Sequence, residues 1–352
     1  MSVLFDMFKT TTMLKAVELM PRVYTFLSDT FGEEGDTYAD DNATYDYRKG
    51  AATGLAPIVV PGTGGIPMAR EGYEMRQIKF CEMAPERVVT LEDISVRMFG
   101  EKVLGAMTPE QRAKKIMARD LTYLRTLNQN RRNWLVREVL LKGKLAIRRY
   151  TREGREKEPS LLADFGFTNT YIPATKWNQS GAKIDYDMEA AFDLAYEGLC
   201  NPDIMVMGRG VFECMMDNSK FTEKLDMRNV DLGEINSKYK GQGIRFRGYN
   251  SDGVAMYSDH GKFINDDNQI EKEVPDGWII LGSSKDKAVK VHHGIINKVK
   301  GQGENSEWHS YVKKEVPFRF GSEDNDVVGT RMVSRPTVVP NNVDGWVIMK
   351  VL

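Results

Sequence analysis

The sequence has few cysteines and no long hydrophobic run. Its three cysteines, Cys81, Cys200 and Cys214, are scattered over 352 residues. Their odd number and wide spacing exclude a fold held together by disulfides and predict reduced thiols in an intracellular product. No run of about eighteen apolar residues occurs, so we expect no membrane span. Charged residues interrupt the apolar N-terminus, which argues against a signal peptide.

The sequence also has no signature of catalysis or of nucleotide binding. The GTGG segment at 62–65 lacks the Lys-Ser/Thr pair of a phosphate-binding loop and is followed by Ile-Pro, so it predicts a loop tip. No Cys or carboxylate stands at ligand spacing beside His292, His293 or His309, which favours a buried or surface histidine pair over a metal site. No Ser-His-Asp or Cys-His arrangement has a local signature. We therefore expect no enzymatic activity, no cofactor and no metal.

One long helix is the clearest feature that is present. Thr108, Pro109 and Gln111 form the pattern of a capping box with proline at the first helical position, and no Gly or Pro follows until Gly143. Apolar residues recur mostly three or four apart, at Ala113, Met117, Leu121, Leu124, Leu135 and Val139. The pattern predicts a helix about 50 Å long with one buried stripe. Polar residues interrupt the stripe near its middle, so we do not expect a coiled coil.

Charge is distributed unevenly along the chain. Between residues 108 and 150 there are twelve basic and three acidic residues, a net charge of +9, whereas the whole chain carries −1. Seven acidic residues and no basic one lie between Asp29 and Asp46. A solvated helix face would account for the basic residues. The alternatives are contact with a polyanion, or docking of one subunit's acidic segment on the basic helix of another.

The rest of the chain predicts an unusual architecture. Residues 1–35 are expected to form a helical arm, and residues 43–83 two extended runs around a Gly/Pro tip with no core of their own. A strand pair turns near Gly154. From Asp185 on, helices and short strands indicate an α+β domain, and the chain ends in a predicted strand that pairs elsewhere. An arm without its own core makes sense if a neighbouring subunit supplies the missing core.

Six segments, in order along nearly the whole chain, resemble one known family. They are MLKAVELMPRVYTFLSDTFGEE; LAPIVVPGTGGIPMAREGYEMRQI; TPEQRAKKIMARDL through NRRNWLVREVLLKGKLAI; ATKWNQSGAKIDYDMEAAF; PDIMVMGRGVFECMMDNSKFTEKLD with VPDGWIILGS; and SRPTVVPNNVDGWVIMKV. Together they resemble the major capsid proteins of lambda-type tailed phages, the phage capsid protein E family, which have the Hong Kong 97-type capsid fold.

The resemblance implies an α+β capsid fold and a structural role. It implies an N-terminal arm (1–42), an extended loop (43–85), a peripheral domain (86–182) with a spine helix (108–143), an axial domain (183–305) and a return to the peripheral domain (306–352). The protein is then expected to assemble in the host cytoplasm into pentamers and hexamers of a virion shell around double-stranded DNA. Scaffold, portal and decoration proteins are further implied partners, and no membrane is involved.

The resemblance also assigns roles to two sets of residues. The extended loop is expected to place ten residues at the interface with a neighbouring subunit, namely Leu55, Ile58, Val59, Val60, Pro61, Gly62, Gly64, Gly65, Ile66 and Arg70. Its apolar residues are buried there, and Pro61 and the three glycines supply the bend. Seven basic residues of the spine helix are expected to dock acidic arms or to face DNA, namely Arg112, Lys114, Lys115, Arg119, Arg125, Arg131 and Arg132. Of these, Lys114 and Arg125 are predicted to lie on the solvated, DNA-facing side. We expect no autocatalytic cross-link.

Two other functions remain open from the sequence. A bacterial nanocompartment of the encapsulin type has the same fold and encloses a different cargo, although the terminal motif disfavours it. A DNA-binding protein would explain the basic helix but not the extended segment without a core.

Overall fold

The computed structural model describes most of the chain. The described ranges are 10–21, 25–47, 74–97, 101, 107–151, 154–156, 158–218, 221, 243–250, 252–300, 307–322 and 327–352. Within them the helices are α1 (Thr10–Leu19), α2 (Phe26–Phe31), α3 (Leu91–Ser95), α4 (Pro109–Lys142), α5 (Ile184–Glu197) and α6 (Val211–Asp217). Among these helices none has the length and apolar character needed to cross a lipid bilayer.

The strands are short and numerous. In chain order they are β1 (Gly32–Tyr38), β2 (Asn42–Tyr47), β3 (Glu74–Lys79), β4 (Glu86–Thr90), β5 (Lys144–Ile147), β6 (Tyr150–Thr151), β7 (Gly154–Arg155), β8 (Ser160–Asp164), β9 (Thr170–Tyr171), β10 (Ile204–Met207), β11 (Ile244–Tyr249), β12 (Ala255–Asp259), β13 (Lys262–Ile264), β14 (Ile270–Lys272), β15 (Trp278–Gly282), β16 (Val289–Gly294), β17 (Ile296–Lys300), β18 (Glu307–Tyr311), β19 (Val316–Ser322), β20 (Val327–Val333), β21 (Pro336–Pro340) and β22 (Val347–Lys350).

A six-stranded mixed sheet organises the second half of the molecule, in the order β11-β12-β10-β15-β22-β9. Its central strand β10 reads IMVM, and all four residues are buried. Such an uninterrupted apolar strand fits a position where both faces of the sheet are covered. The predicted α+β pattern from Asp185 on is confirmed, since α5, β10, α6, β11, β12, β13 and β15 follow in the expected order.

The two faces of this sheet belong to different cores. Met205 and Met207 of β10 face a cluster formed with α5 and α6. Ile204 and Val206 face a second and larger cluster that includes Leu140 of α4. Successive side chains of a strand point to opposite faces of the sheet, so β10 contributes residues to both cores. The C-terminal half of α4 is thereby fixed against the sheet.

The helical part of the N-terminal arm ends earlier than the sequence predicted. Residues 32–35 belong to β1 and not to a helical arm, because β1 pairs in parallel with β16. β21 covers the other edge of β16 and completes a three-stranded sheet. Local helix preference in the arm therefore yields to pairing with a strand far along the chain.

The end of the chain also differs from the prediction. The sequence suggested one final strand. Two strands form instead, and while β21 pairs with β16, β22 enters the six-stranded sheet between β15 and β9. The run Val347–Lys350 is almost fully buried, so it fits an interior position of that sheet. Just before it, Trp346 Nε1 donates a hydrogen bond to the carbonyl of Leu140 at 2.8 Å.

Other predictions from the sequence can be located in this fold. The strand pair turning near Gly154 is present, as β5 pairs with β8 and β6 with β7. The predicted extended runs pair as β2 and β3, from Asn42↔Lys79 to Tyr47↔Glu74. His292 and His293 are buried on β16, and in the described part of the chain no three His, Cys, Asp or Glu side chains group as metal ligands would.

Candidate assembly interface along the long helix

Helix α4 has the ends that its sequence predicts. The Gln111 N–H donates a hydrogen bond to Thr108 Oγ1, and the Thr108 N–H donates one to Gln111 Oε1. At the other end Gly143 has φ +63° and lies against Phe167, where a Cβ atom would come within 2.2 Å. Both glycine's free φ and its missing side chain are needed there. The helix is thus held at a fixed length between two defined ends.

The N-terminal arm packs on the first half of α4. Met13 and Val17 of α1 form a small buried cluster with Leu121 and Leu124 of α4 and Met332 of β20. Burying apolar surface in this way contributes about 25 cal/mol per Å². The arm is therefore attached to the helix of its own chain.

Arg125 fastens the end of α1. Its Nη1 donates to the carbonyls of Val17 and Met20, each at 3.1 Å. Carbonyls at a helix C-terminus lack partners and carry partial negative charge, so a cation there is stabilising. Arg125 Nε also lies 3.4 Å from Glu315, and the arginine side chain is only 17% exposed. The prediction that Arg125 lies on a solvated face is wrong, because the arm and Glu315 cover it.

Glu34 docks on the middle of α4. Its carboxylate lies 2.8 Å from Arg132, 2.7 Å from Lys314 and 3.5 Å from His293. Burial would raise the pKa of Glu34, but His293, Arg132 and Lys314 together hold that pKa well below its usual range. An acidic residue of the arm segment therefore pairs with the basic helix within a single chain.

Arg112 connects the start of α4 to the segment that precedes it. It makes a double contact with the Glu101 carboxylate, with the shortest bond 2.9 Å, and donates to the carbonyls of Ile94 and Ser95. Both Arg112 and Glu101 are buried. A forked ion pair of this kind is geometrically specific. Arg112 is therefore not available to DNA.

Two arginines of the second half hold the β13–β14 hairpin. Arg131 forms an ion pair with Asp266 in the turn between those strands. Arg137 pairs with Glu138 at 2.6 Å and donates to the carbonyl of Glu273 at 2.7 Å, just beyond β14. Both side chains thus fix this hairpin against α4.

Three basic residues remain on the surface of the first half. Lys114, Lys115 and Arg119 are exposed. Lys114 has a long contact of 3.7 Å with Glu110, one turn earlier. Lys115 and Arg119 form no ion pair with any other residue in the described ranges. Of the seven predicted basic residues, these three alone lie in the environment that phosphate neutralisation requires.

The predicted extended-loop residues lie outside the described residues, namely Leu55, Ile58, Val59, Val60, Pro61, Gly62, Gly64, Gly65, Ile66 and Arg70. The strands on either side of them are well anchored, since Ala43 and Tyr45 of β2 and Ile78 of β3 are buried in the large core. The Tyr45 ring meets Phe165 edge-on at 5.9 Å. The interface role of the loop stays a prediction.

Several partners of the helix were missed from the sequence. No local spacing in the sequence connects Glu315, Asp266 or Glu101 to α4. His293 was considered only as half of a histidine pair. Its ring is 1% exposed, and within the described structure neither nitrogen forms a hydrogen bond. Burial lowers the pKa of His293, although Glu34 opposes this effect.

Comparison with known proteins identifies the family of this chain. The model of the family Phage major capsid protein E matches residues 9–351. Among solved structures, the chain is similar to a protein assigned as the capsid protein of a prophage of E. coli CFT073. The TM-score is 0.70 and the identity 18%, over 97% of this chain and 99% of that one. No curated protein matches the sequence.

Weaker structural likenesses also occur. One is to a phage-related protein from Bordetella bronchiseptica RB50, with a TM-score of 0.48 and 11% identity over 97% of this chain and 96% of that one. Another is to the capsid of Myoviridae phage XM1, with a TM-score of 0.44 and 10% identity over 96% and 95%. The α+β fold of Hong Kong 97 type, predicted from the sequence, is confirmed.

Proposed function

The chain belongs to the phage major capsid protein E family, and from this premise we propose how its segments build a shell. Its function is that of a structural shell protein of a tailed phage, as the sequence predicted, and its place is the virion capsid. The family match decides against the nanocompartment and the DNA-binding protein as descriptions of this chain. We propose that its copies form pentamers and hexamers that close around double-stranded DNA.

The anchored base of the extended loop is the observation that carries the proposal. β2 and β3 pair in register and bury Ala43, Tyr45 and Ile78 in the subunit's own core. Between these strands the sequence LAPIVVPGTGGI is strongly apolar and interrupted by Pro and Gly. Apolar residues on an anchored hairpin need a surface to bury them, and a neighbouring subunit provides one. Contacts repeated over a closed shell then add through multivalency.

The experiment is charge insertion into the loop, followed by electron microscopy and sedimentation. Ile58→Asp with Val59→Asp should leave a folded subunit and abolish shells, because charges enter a buried contact at every repeat. Thr53→Asp with Thr63→Asp adds the same charge at polar positions of the same loop and is the matched control. Normal shells from the Ile58/Val59 variant would reject the interface role of the loop.

The DNA contact is assigned to the exposed first half of α4. Lys114, Lys115 and Arg119 are exposed cations on one helix. Such residues neutralise phosphate charge without reading bases, so binding should be independent of DNA sequence. Scaffold, portal and decoration proteins, and assembly in the host cytoplasm, remain proposals. Co-expression with the neighbouring genes of the phage and isolation of the complexes would test them.

A further inference from the structure

Helix α5 presents a stripe of tyrosines and acids to solvent. Tyr186, Glu189, Asp193, Tyr196 and Glu197 follow one another at helical spacing and are all exposed. The two tyrosine side chains are large and apolar, yet Tyr186 is 66% and Tyr196 56% exposed. Exposed aromatic residues on one helical face are typical of a protein interface. We call this set of five residues the acidic stripe.

The charges of the acidic stripe are uncompensated. α5 contains five acidic residues and no basic one. Glu189, Asp193 and Glu197 form no ion pair with any cation in the part of the chain that the structure describes. They stand four residues apart, where like charges repel on a helix, and Glu197 lies at the C-terminal end, where negative charge opposes the helix dipole. The stripe therefore destabilises the isolated helix and would gain from a cationic partner.

A cluster of arginines lies at the β11 edge of the six-stranded sheet. Arg245 and Arg247 are on β11, Arg209 precedes α6, and all three act on His260, whose pKa is lowered by burial and then by these charges. We call Arg209, Arg245, Arg247 and His260 the arginine cluster.

The arginine cluster also lacks a carboxylate partner at ion-pair distance within the described ranges. Glu213 is the acid whose charge reaches Arg247 and His260, but it forms no ion pair with them. Arg247 Nε donates to Ser258 Oγ at 2.9 Å, and its guanidinium lies 4.6 Å from the centroid of the Phe212 ring. Arg247 is thus held in place by neutral groups while its charge stays available.

The stripe and the cluster cannot neutralise each other within one chain. α5 packs on β15 and β22. Three and four strand spacings separate these from β11 in the sheet order, which is roughly 15–19 Å at about 4.8 Å per strand. The exposed face of α5 also points away from the sheet. Two complementary surfaces therefore sit at different places on the same domain.

We propose that the acidic stripe of one copy docks on the arginine cluster of the next copy, head to tail. A contact between two different surfaces of identical chains is heterologous, and it closes into a ring when the rotation between neighbours permits. Charge complementarity selects the neighbour and its register, while the tyrosines supply the apolar area. This inference rests on the proposed assembly and assigns the residues that join neighbours within a ring.

The test uses paired charge reversals in the full chain. Glu189→Lys with Asp193→Lys leaves a basic stripe facing a basic cluster, and Arg209→Glu with Arg245→Glu leaves two acidic surfaces. Each variant should lower the assembled fraction in sedimentation by roughly tenfold or more, because like charges would meet at every contact. The chain that carries all four substitutions should regain assembly, since the complementarity is restored with its sign inverted.

Mixing the two single-surface variants sharpens the result. Each can then bind only the other, so alternating rings close with an even number of copies and never with an odd number. Electron microscopy of the mixture should show even rings, or flat and tubular arrays, and no closed shells that need odd rings.

A matched control and the wild type separate the possible failures. Glu92→Lys with Glu307→Lys makes the same change in net charge as the Glu189/Asp193 reversal, at exposed positions outside the stripe, and should assemble normally. If the wild type forms no assemblies, the proposed function itself fails. If the wild type assembles and the reversed variants do so equally well, or the fourfold variant is not rescued while circular dichroism shows it folded, head-to-tail docking is overturned.

Discussion

The two halves of α4 carry similar charge and use it differently. In the second half Arg131, Arg132 and Arg137 each have an acidic partner, and every residue from Leu135 to Leu141 is buried. In the first half Lys115 and Arg119 face solvent, and only one side of the helix is covered by the arm. The second half is thus a structural element of the subunit, whereas the first half combines Arg112 and Arg125, which are paired inside the subunit, with cations exposed to solvent.

The difference shows how to interpret a basic helix. The net charge of +9 suggested a surface for polyanions, but Arg112, Arg125, Arg131 and Arg132 are used inside the subunit. Pairing a charge removes most of the attraction that it could offer to a distant phosphate. Burial and pairing, more than net charge, decide which residues can bind DNA.

The largest expected effect comes from shortening a side chain in the buried half. Leu140 is fully buried in the core shared by α4 and the six-stranded sheet. Leu140→Ala should lower the free energy of unfolding by about 2–5 kcal/mol, because apolar burial is reduced and a cavity is left behind. The measurement is urea unfolding of the unassembled subunit, followed by circular dichroism. Leu127→Ala, near the middle of α4 and 38% exposed, is the control and should cost less than about 1 kcal/mol.

A smaller effect is expected from a buried acid beside the second half. Burial and the charge of Glu273 raise the pKa of Asp259 to about 7, although the Gly261 N–H and Arg137 oppose the shift. Between about pH 4 and pH 7 this carboxyl is protonated in the folded state and ionised in the unfolded state. The free energy of unfolding of the wild type therefore falls as the pH rises through this range. Asp259→Asn should therefore raise the free energy of unfolding at pH 8 by about 1–3 kcal/mol.

The same variant should gain little near pH 3, where the wild-type carboxyl is mostly protonated in both the folded and the unfolded state. Thermal unfolding of the unassembled subunit at the two pH values measures the difference. Asp193→Asn, at an exposed carboxylate of α5, is the control and should change stability by less than about 0.5 kcal/mol at either pH. An Asp259→Asn variant less stable than the wild type at pH 8 would contradict the assignment.

What could be predicted from the sequence was local. The ends of α4 were predicted correctly, because Thr108, Gln111 and Gly143 act within one helical turn. Its buried stripe followed from the spacing of apolar residues. Docking of the acidic segment on this helix was one alternative from the sequence, but only between subunits. The pairs Arg132–Glu34 and Arg125–Glu315 within one chain could not be predicted, since these acids lie far away along the chain.

The strand positions that were not predicted have the same cause. The start of β1 was assigned to a helical arm, and the strands that pair with β22 were left open. Both strands are short, and their positions depend on pairing with β16, β15 and β9. Strand partners are chosen by packing across the fold and not by neighbouring residues. For the candidate site, residue types were therefore predictable, but the division between paired and free charges was not.

The arm offers a third test of the comparison. Arg132→Met removes the buried partner of Glu34, and Arg119→Met makes the same change on the exposed half. We expect Arg132→Met to lower stability by about 1–2 kcal/mol, a reduced cost because Glu34 is partly exposed and keeps Lys314. Arg119→Met should cost less than about 0.5 kcal/mol. Limited proteolysis of the arm should speed up for Arg132→Met alone, and equal rates for the two variants would argue against arm docking.

The smallest effect on stability, and the clearest on function, is expected from the exposed half. Replacing Lys114, Lys115 and Arg119 with Gln removes three exposed cations, of which only Lys114 has an acidic neighbour in the described structure, Glu110 at 3.7 Å. The free energy of unfolding should therefore change by less than about 0.5 kcal/mol. For every phosphate that is no longer neutralised, the plot of log binding constant against log salt should flatten by about 0.9, measured for the unassembled subunit on duplex DNA. The control removes three cations that are already closely paired with acids, at Lys142, Lys298 and Lys313. Because those charges are compensated, the control should keep the wild-type slope. An unchanged slope in the first variant, or the same flattening in both, would make the first half of α4 a solvated face and leave the DNA to be held elsewhere.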